Sequence, residues 1–187
     1  MTRPSPRAHE PAAFSVGEAI AGGALTLGAY LVVSFLWYWL MTVVSLNDQL
    51  GLDSLGGTWM WAYLVWIYGV MTALPAAIVG TVTAALLGRA MRRRASLPLH
   101  LVVHAVHGYV IGAIATVVCL IALQAIPSSA GGLYYPFLWG GPAAALSALV
   151  GWGSIVAIAR RRDRRRLASD QRPATLGAGG LSVPGGR

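Results

Sequence analysis

The sequence predicts an all-α integral membrane protein with four transmembrane helices and both termini in the cytoplasm. Two observations predict this fold class: long stretches without Asp, Glu, Lys or Arg, and arginine clusters on alternate sides of those stretches. A bilayer core of about 30 Å needs about 20 apolar residues of helix, so each stretch can cross it at least once. The hydrophobic share of 56% agrees with a membrane protein.

Charges and turn residues delimit the spans. No Asp, Glu, Lys, Arg or His occurs in residues 19–46 or 54–88, and of these five residue types only histidine occurs in residues 95–159. The last stretch is long enough for two helices, and turn-forming residues cluster in its middle, at 127–132. We therefore predict four spans, at residues 16–46, 58–88, 97–126 and 133–159.

Two helix starts are visible in the sequence. Ser15 followed by Glu18 fits a capping box, in which the serine and the glutamate each bond to the other's backbone N–H. We favour this structural role for Glu18 over that of a transporter carboxylate within the membrane. Ser96 ahead of Pro98 predicts the start of the third helix, because proline is tolerated in a first turn.

The arginines set the predicted orientation, because basic residues in short loops stay on the cytoplasmic side. We predict a multi-pass plasma-membrane protein with a transmembrane domain at 15–166. Residues 1–14 and 167–187 are rich in Pro, Gly, Ala, Ser and Arg and lack apolar periodicity, so we expect them to be flexible cytoplasmic tails. We expect these arginines to attract anionic lipids, at about 1 kcal/mol each. The basic residues do not form a surface on a soluble domain, so the sequence does not predict a nucleic-acid partner. The arginines that follow the second and fourth spans are Arg89, Arg92, Arg93, Arg94, Arg160, Arg161 and Arg162.

Small residues recur at every fourth position in three of the spans. In lipid, such grooves let helix backbones approach closely. These faces can be used inside the bundle or by a partner, and the sequence leaves both uses open. We expect a homo-oligomer or a subunit of a larger membrane complex. The residues are Ala76, Gly80, Ala84, Gly88, Gly108, Gly112, Ser147 and Gly151.

The second and fourth spans resemble each other weakly, since a Pro-Ala-Ala sequence leads to an arginine cluster in both. This similarity suggests a parallel repeat of two helical hairpins. Chance explains the similarity about as well. Pro75 and Pro142 each remove one helical hydrogen bond. We expect the freed carbonyls of Met71 and Leu138 to face a neighbouring helix or a water molecule.

Three histidines give the sharpest chemical signal. His100, His104 and His107 follow steps of four and three residues, which places them on one face of the third helix. Histidine within a span suggests a metal site, haem ligation or a proton relay. A metal or haem would need ligands from a second helix or a second copy of the chain. We favour the interpretation that His100 lies near the lipid head groups and that His104 and His107 hydrogen-bond to backbone carbonyls or interfacial water.

Aromatic residues gather toward the predicted outer leaflet, where Trp and Tyr commonly lie at the interface. Trp37 and Trp66 are deeper, about 12 Å inside their helix ends at 1.5 Å per residue. An aromatic pocket for an apolar or cationic ligand could form there. We favour ordinary helix packing for both residues.

Packing signals outnumber catalytic ones, so the sequence predicts a non-enzymatic membrane subunit or interaction module. The chain contains no lysine, which excludes a retinal Schiff base and a phosphate-loop lysine. A single cysteine excludes an internal redox pair. The alternative is a small transporter, or a metal- or haem-linked membrane protein that uses the histidines. No cofactor is the expected state, with haem or a transition metal as the alternative.

Overall fold

The computed structural model describes residues 15–50, 55–91, 94, 96–124, 134 and 136–170. The regular elements in this part of the chain are helical, and four of them are long and apolar enough to cross a membrane. The predicted all-α class with four candidate spans is therefore confirmed. The helices are α1 (Val16–Leu50), α2 (Leu55–Met91), α3 (Leu97–Ala122) and α4 (Gly141–Asp170), with a short π-helix (Pro136–Gly140) directly before α4.

Both predicted helix caps are present. The Glu18 carboxylate accepts from the backbone N–H of Ser15 at 2.9 Å, and the backbone N–H of Glu18 donates to Ser15 Oγ at 3.2 Å. These are the two bonds of a capping box, so Glu18 serves the start of α1. At the start of α3, Ser96 Oγ accepts from the backbone N–H of Leu99, and a proline lies in the first turn.

The starts of α1 and α3 agree with the predicted spans, and the other helix ends differ from them. The helix α3 ends at Ala122 rather than at residue 126, and Gln124 beyond it has a φ of 52°, in the left-handed region. A residue in that conformation cannot continue a right-handed helix. The helix α4 continues past residue 159 to Asp170, because arginine is a good helix former whose charge remains in solvent. The expected turn at 127–132 lies outside the described residues.

The four helices form a ring. In it, α1 packs against α2 and α4, and α3 packs against the same two helices from the other side. The packing is closest where α4 meets α1 and α3, and it is loosest between α2 and α3. One side of the bundle is therefore less tightly closed than the other three.

Close packing of α3 against α4 depends on the glycines that the sequence singled out. A Cβ atom on Gly112 would lie 2.5 Å from the carbonyl oxygen of Gly140 and 2.5 Å from Ala144 Cβ. A Cβ atom on Gly108 would lie 2.8 Å from Ala148 Cβ. Real Cβ atoms do not approach other atoms so closely, so these positions require glycine at this helix separation.

The small residues of α4 allow close packing against α1 as well. A Cβ atom on Gly151 would collide with Thr26 of α1, at 2.7 Å from its backbone nitrogen. Ser147 is fully buried and bonds back to Ala143 O at 2.6 Å. The small-residue faces of α3 and α4 are therefore used inside the bundle, which answers the question that the sequence left open for these two helices.

The π-helix before α4 shows what Pro142 does. Proline cannot donate to the carbonyl of Leu138, and that carbonyl accepts from Trp37 Nε1 of α1 at 2.8 Å. The neighbouring carbonyl of Phe137 accepts from the Tyr109 hydroxyl of α3 at 3.0 Å. The expectation that the freed carbonyl of Leu138 faces a neighbour is confirmed. Pro75 lies inside α2 instead, so the two prolines have different settings and the repeat remains a prediction.

Candidate functional site

A cavity of about 410 Å³ lies inside the ring of helices. Most of its wall comes from α2 and α3, at the loosely packed side of the bundle, and α1 and α4 contribute the opposite wall. The cavity is partly open, and its lining is predominantly apolar. Its volume falls in the range of about 300–1,000 Å³ that is usual for small-molecule sites.

Small side chains on the facing walls create this space. Ala76 and Gly80 of α2 border the cavity, as do Gly108 and Gly112 of α3. A Cβ atom on Gly80 would reach only ordinary contact, 3.6 Å from Ile111 Cγ2. On α2, the predicted stripe of small residues thus mainly leaves room and does not bring two backbones together. Ala84 is buried further along α2, and Gly88 has no atom within 4 Å of its Cβ position.

Two tyrosines of α1 supply polar atoms to the cavity. The hydroxyl groups of Tyr30 and Tyr38 lie 3.0 Å apart, and both rings border the cavity. Gly69 of α2 lets them approach, because a Cβ atom there would lie 3.3 Å from the Tyr38 hydroxyl. The Tyr38 ring also packs against Trp139, with 5.8 Å between ring centroids. One hydroxyl proton of the pair is used between the two tyrosines, and the other is available to a different acceptor.

His107 and Thr83 supply polar atoms between α2 and α3. His107 Nε2 lies 2.7 Å from Thr83 Oγ1, and the half-buried His107 ring borders the cavity. Thr83 Oγ1 also bonds back to its own helix, at 2.8 Å from Val79 O. The cavity therefore combines apolar walls with a few polar groups, the Tyr30–Tyr38 pair and the His107 ring, an arrangement typical of ligand sites.

The other two histidines, His104 and His100, make contacts with neighbouring protein groups. His104 is 4% exposed, and its ring lies flat on Trp152 of α4, with centroids 4.5 Å apart and planes 7° apart. His100 Nε2 lies 2.8 Å from the carbonyl oxygen of Arg94, which can only accept a hydrogen bond. His100 thus bonds to a backbone carbonyl just ahead of its own helix. Among the described residues, neither His104 nor His107 makes the expected bond to a backbone carbonyl. The main contact of His104 is an aromatic ring, and His107 is paired with Thr83.

Metal ligands do not come together in the part of the chain that the structure describes. Among the described residues, no group of three or more His, Cys, Asp and Glu side chains could hold a metal ion. Cys119 borders the cavity and donates weakly to Tyr68 O at 3.7 Å. Haem or metal ligation by His100, His104 or His107 stays a prediction that would need a second copy of the chain.

Trp37 and Trp66 do not border the cavity. Their indole N–H groups donate to carbonyl oxygens of neighbouring helices, at 2.8 Å to Leu138 and 2.9 Å to Leu31. Trp66 also packs edge-on against Phe35. These contacts agree with the helix-packing interpretation.

Comparisons with protein-family models, with curated proteins and with solved structures found no match. The function must therefore be inferred from the cavity itself.

The sequence drew attention to His107 but not to its partner Thr83, nor to Tyr30. Each is a hydrogen-bonding residue inside a charge-free stretch, and that signal could have identified them. Among the residues that the structure describes, the predicted lipid-binding arginines are all exposed: Arg89, Arg94, Arg160, Arg161 and Arg162.

Proposed function

We propose that this chain is a non-enzymatic, multi-pass membrane protein that binds a small, largely apolar molecule in its central cavity. The cavity between α2 and α3 carries this proposal, because it combines a ligand-sized volume with apolar walls and few polar groups. The loose packing of α2 against α3 offers an entrance from the bilayer. An apolar molecule dissolved in the membrane can reach the site there without crossing water.

Filling the cavity should abolish binding. Ala76 borders the cavity and is half-buried, so the side chain of an Ala76→Phe variant is expected to occupy part of the space. The probe is dodecane bearing a diazirine ring, with the protein in lipid nanodiscs and labelled peptides identified by mass spectrometry. We expect labelling of cavity-lining residues in the wild type and at least about a fivefold loss in Ala76→Phe, since an overpacked site costs about 1–3 kcal/mol.

The matched control is Ala157→Phe, which adds the same volume on an exposed position of α4 away from the cavity. It should leave cavity labelling at the wild-type level. Labelling confined to lipid-facing residues in the wild type, or unchanged cavity labelling in Ala76→Phe, would contradict the proposal.

We further propose that both termini lie in the cytoplasm and that the protein resides in the plasma membrane. The exposed arginines at the ends of α2 and α4 support this orientation, because basic residues are retained on the cytoplasmic side. Anionic lipids of the inner leaflet are the partners that these arginines fit best.

Cysteine labelling tests the orientation. In a Cys119→Ser background, an Asp53→Cys variant should react with a membrane-impermeant maleimide added to intact cells, whereas Arg162→Cys should react only after permeabilisation. Asp53 is the position that the predicted topology places outside, and Arg162 lies in the exposed arginine run of α4. The reverse pattern would exclude this topology.

Membership of a larger membrane complex, or a homo-oligomer, stays a prediction. The small-residue faces of α2, α3 and α4 suggested it. Those of α3 and α4 pack within the bundle, and that of α2 borders the cavity. No surface is therefore assigned to a protein partner. Proton-linked transport through the histidines likewise stays a prediction, with His107 as the member of the stripe that borders the cavity.

A further inference from the structure

The hydrogen bonds of Thr83 determine which nitrogen of His107 carries the proton. Thr83 Oγ1 lies 2.8 Å from the carbonyl oxygen of Val79, which can only accept, and 2.7 Å from His107 Nε2. If the hydroxyl donates to Val79 and Nε2–H donates to the hydroxyl, both short contacts are hydrogen bonds. If the hydroxyl donates to Nε2 instead, the contact with Val79 has no proton. The first arrangement is therefore favoured.

A neutral imidazole with its proton on Nε2 has a hydrogen-bond acceptor at Nδ1. Within the described part of the chain, Nδ1 of His107 makes no hydrogen bond. The buried ring nitrogens without a partner in this part of the chain belong to Trp39, His100 and His104. Nδ1 of His107 is not among them, so this unpaired atom is not buried. Because the His107 ring also borders the cavity, its Nδ1 atom is an acceptor that a bound molecule can reach.

We propose that the cavity binds a lipophilic alcohol, whose hydroxyl group donates a hydrogen bond to His107 Nδ1. The proposal rests on the proposed function and adds the chemical class of the ligand. A neutral hydroxyl fits better than a charged head group, because a charge at this depth in the membrane is costly. A hydrocarbon without a donor would leave Nδ1 unpaired.

The geometry of the cavity supplies room for the apolar part of such a molecule. His107 and Cys119 both border the cavity on α3, and at 1.5 Å per residue they are about 18 Å apart along the helix. The wall between them is formed by small and aliphatic side chains, among them Ile111 and Ala115. An extended chain or a slender ring system can lie along this wall, with its hydroxyl at His107.

The depth of His107 in the membrane makes the hydroxyl group of the ligand important for its affinity. His107 lies ten residues into α3, which is about 15 Å from the start of the helix at Leu97. A hydroxyl group without a partner there costs free energy, because no water is available to it. A molecule whose hydroxyl is paired at His107 should therefore bind better than the same molecule with its donor removed.

The test compares dodecanol with dodecyl methyl ether as competitors of the diazirine-bearing dodecane. The ether keeps the chain and the oxygen but cannot donate a hydrogen bond. We expect the alcohol to compete between about twofold and tenfold more strongly in the wild-type protein. His107→Leu should remove this preference, whereas His107→Asn should retain part of it, because the amide oxygen can accept in place of Nδ1.

Thr83→Val tests the same inference with little change of shape. Without the threonine hydroxyl, nothing holds the proton on Nε2, so the preference for the alcohol should fall. Thr72→Val is the matched control, because Thr72 also borders the cavity but bonds to Gly69 O in its own helix. It should keep the wild-type preference.

The outcomes separate the two proposals. Equal competition by alcohol and ether in the wild type, or a preference that survives both His107→Leu and Thr83→Val, would overturn the assignment of an alcohol while the cavity remains a binding site. Failure of dodecane, dodecanol and the ether to reach the cavity would overturn both proposals. If His107→Leu does not fold, the comparison of Thr83→Val with Thr72→Val decides.

Discussion

Replacing Gly112 by valine is expected to separate α3 from α4 and to remove most of the folded protein. Even a Cβ atom at this position would lie 2.5 Å from a backbone carbonyl oxygen and 2.5 Å from Ala144 Cβ. Neither is the end of a flexible side chain, so the helices must move apart. Overpacking costs about 1–3 kcal/mol in well-packed cores, and we expect a value at or above the upper end.

Gly28→Val is the control, since Gly28 is exposed on α1 and has no atom within 4 Å of its Cβ position. Stability is measured by the loss of helical circular dichroism and of the monodisperse elution peak as a denaturing detergent is titrated into a mild one. A Gly112→Val protein as stable as Gly28→Val would show that α3 and α4 are not packed at this separation.

Truncating Trp152 to alanine is expected to have the second largest effect. Trp152 is 4% exposed and belongs to a buried cluster with Ala84, Ala148 and Ile155. Its ring carries the stacked His104. Trp→Ala changes in cores cost about 3–5 kcal/mol. We expect the lower end here, because lipid is as apolar as the interior and only packing is lost.

Two further variants identify the cause of the loss. Trp152→Phe keeps a ring against His104 and should recover part of the stability, since aromatic pairs contribute about 0.5–1.5 kcal/mol. Trp59→Ala removes an indole that is 44% exposed and stacks on Phe35 and Trp39, so we expect a smaller loss than in Trp152→Ala. The same detergent titration measures all three variants. Equal losses in Trp152→Ala and Trp59→Ala would mean that Trp152 is not a packing centre.

Features encoded along a single helix were predictable. The spans follow from charge-free length, and the starts at Ser15 and Ser96 follow from local hydrogen-bond chemistry. The free carbonyl of Leu138 follows from the missing N–H of Pro142. Each of these needs only residues within a few positions of one another.

Features that depend on how helices face one another were not predictable. These helices are apolar on all sides, so no polar face indicates which side of a helix points inward. The stacking of His104 on Trp152 and the pairing of His107 with Thr83 depend on that rotation. The cavity was not predictable for the same reason. Small residues at every fourth position close the gap between α3 and α4, but the same spacing leaves room between α2 and α3.

The π-helix before α4 has a consequence for biogenesis. Its carbonyls of Leu138 and Phe137 are satisfied by Trp37 and Tyr109, which belong to helices earlier in the chain. Both donors are therefore already synthesised when the last span enters the bilayer. Insertion of α4 needs only its hydrophobicity, whereas docking needs these two bonds. A Trp37→Phe protein should accordingly insert all its spans yet accumulate as an undocked precursor, sensitive to membrane quality-control proteases.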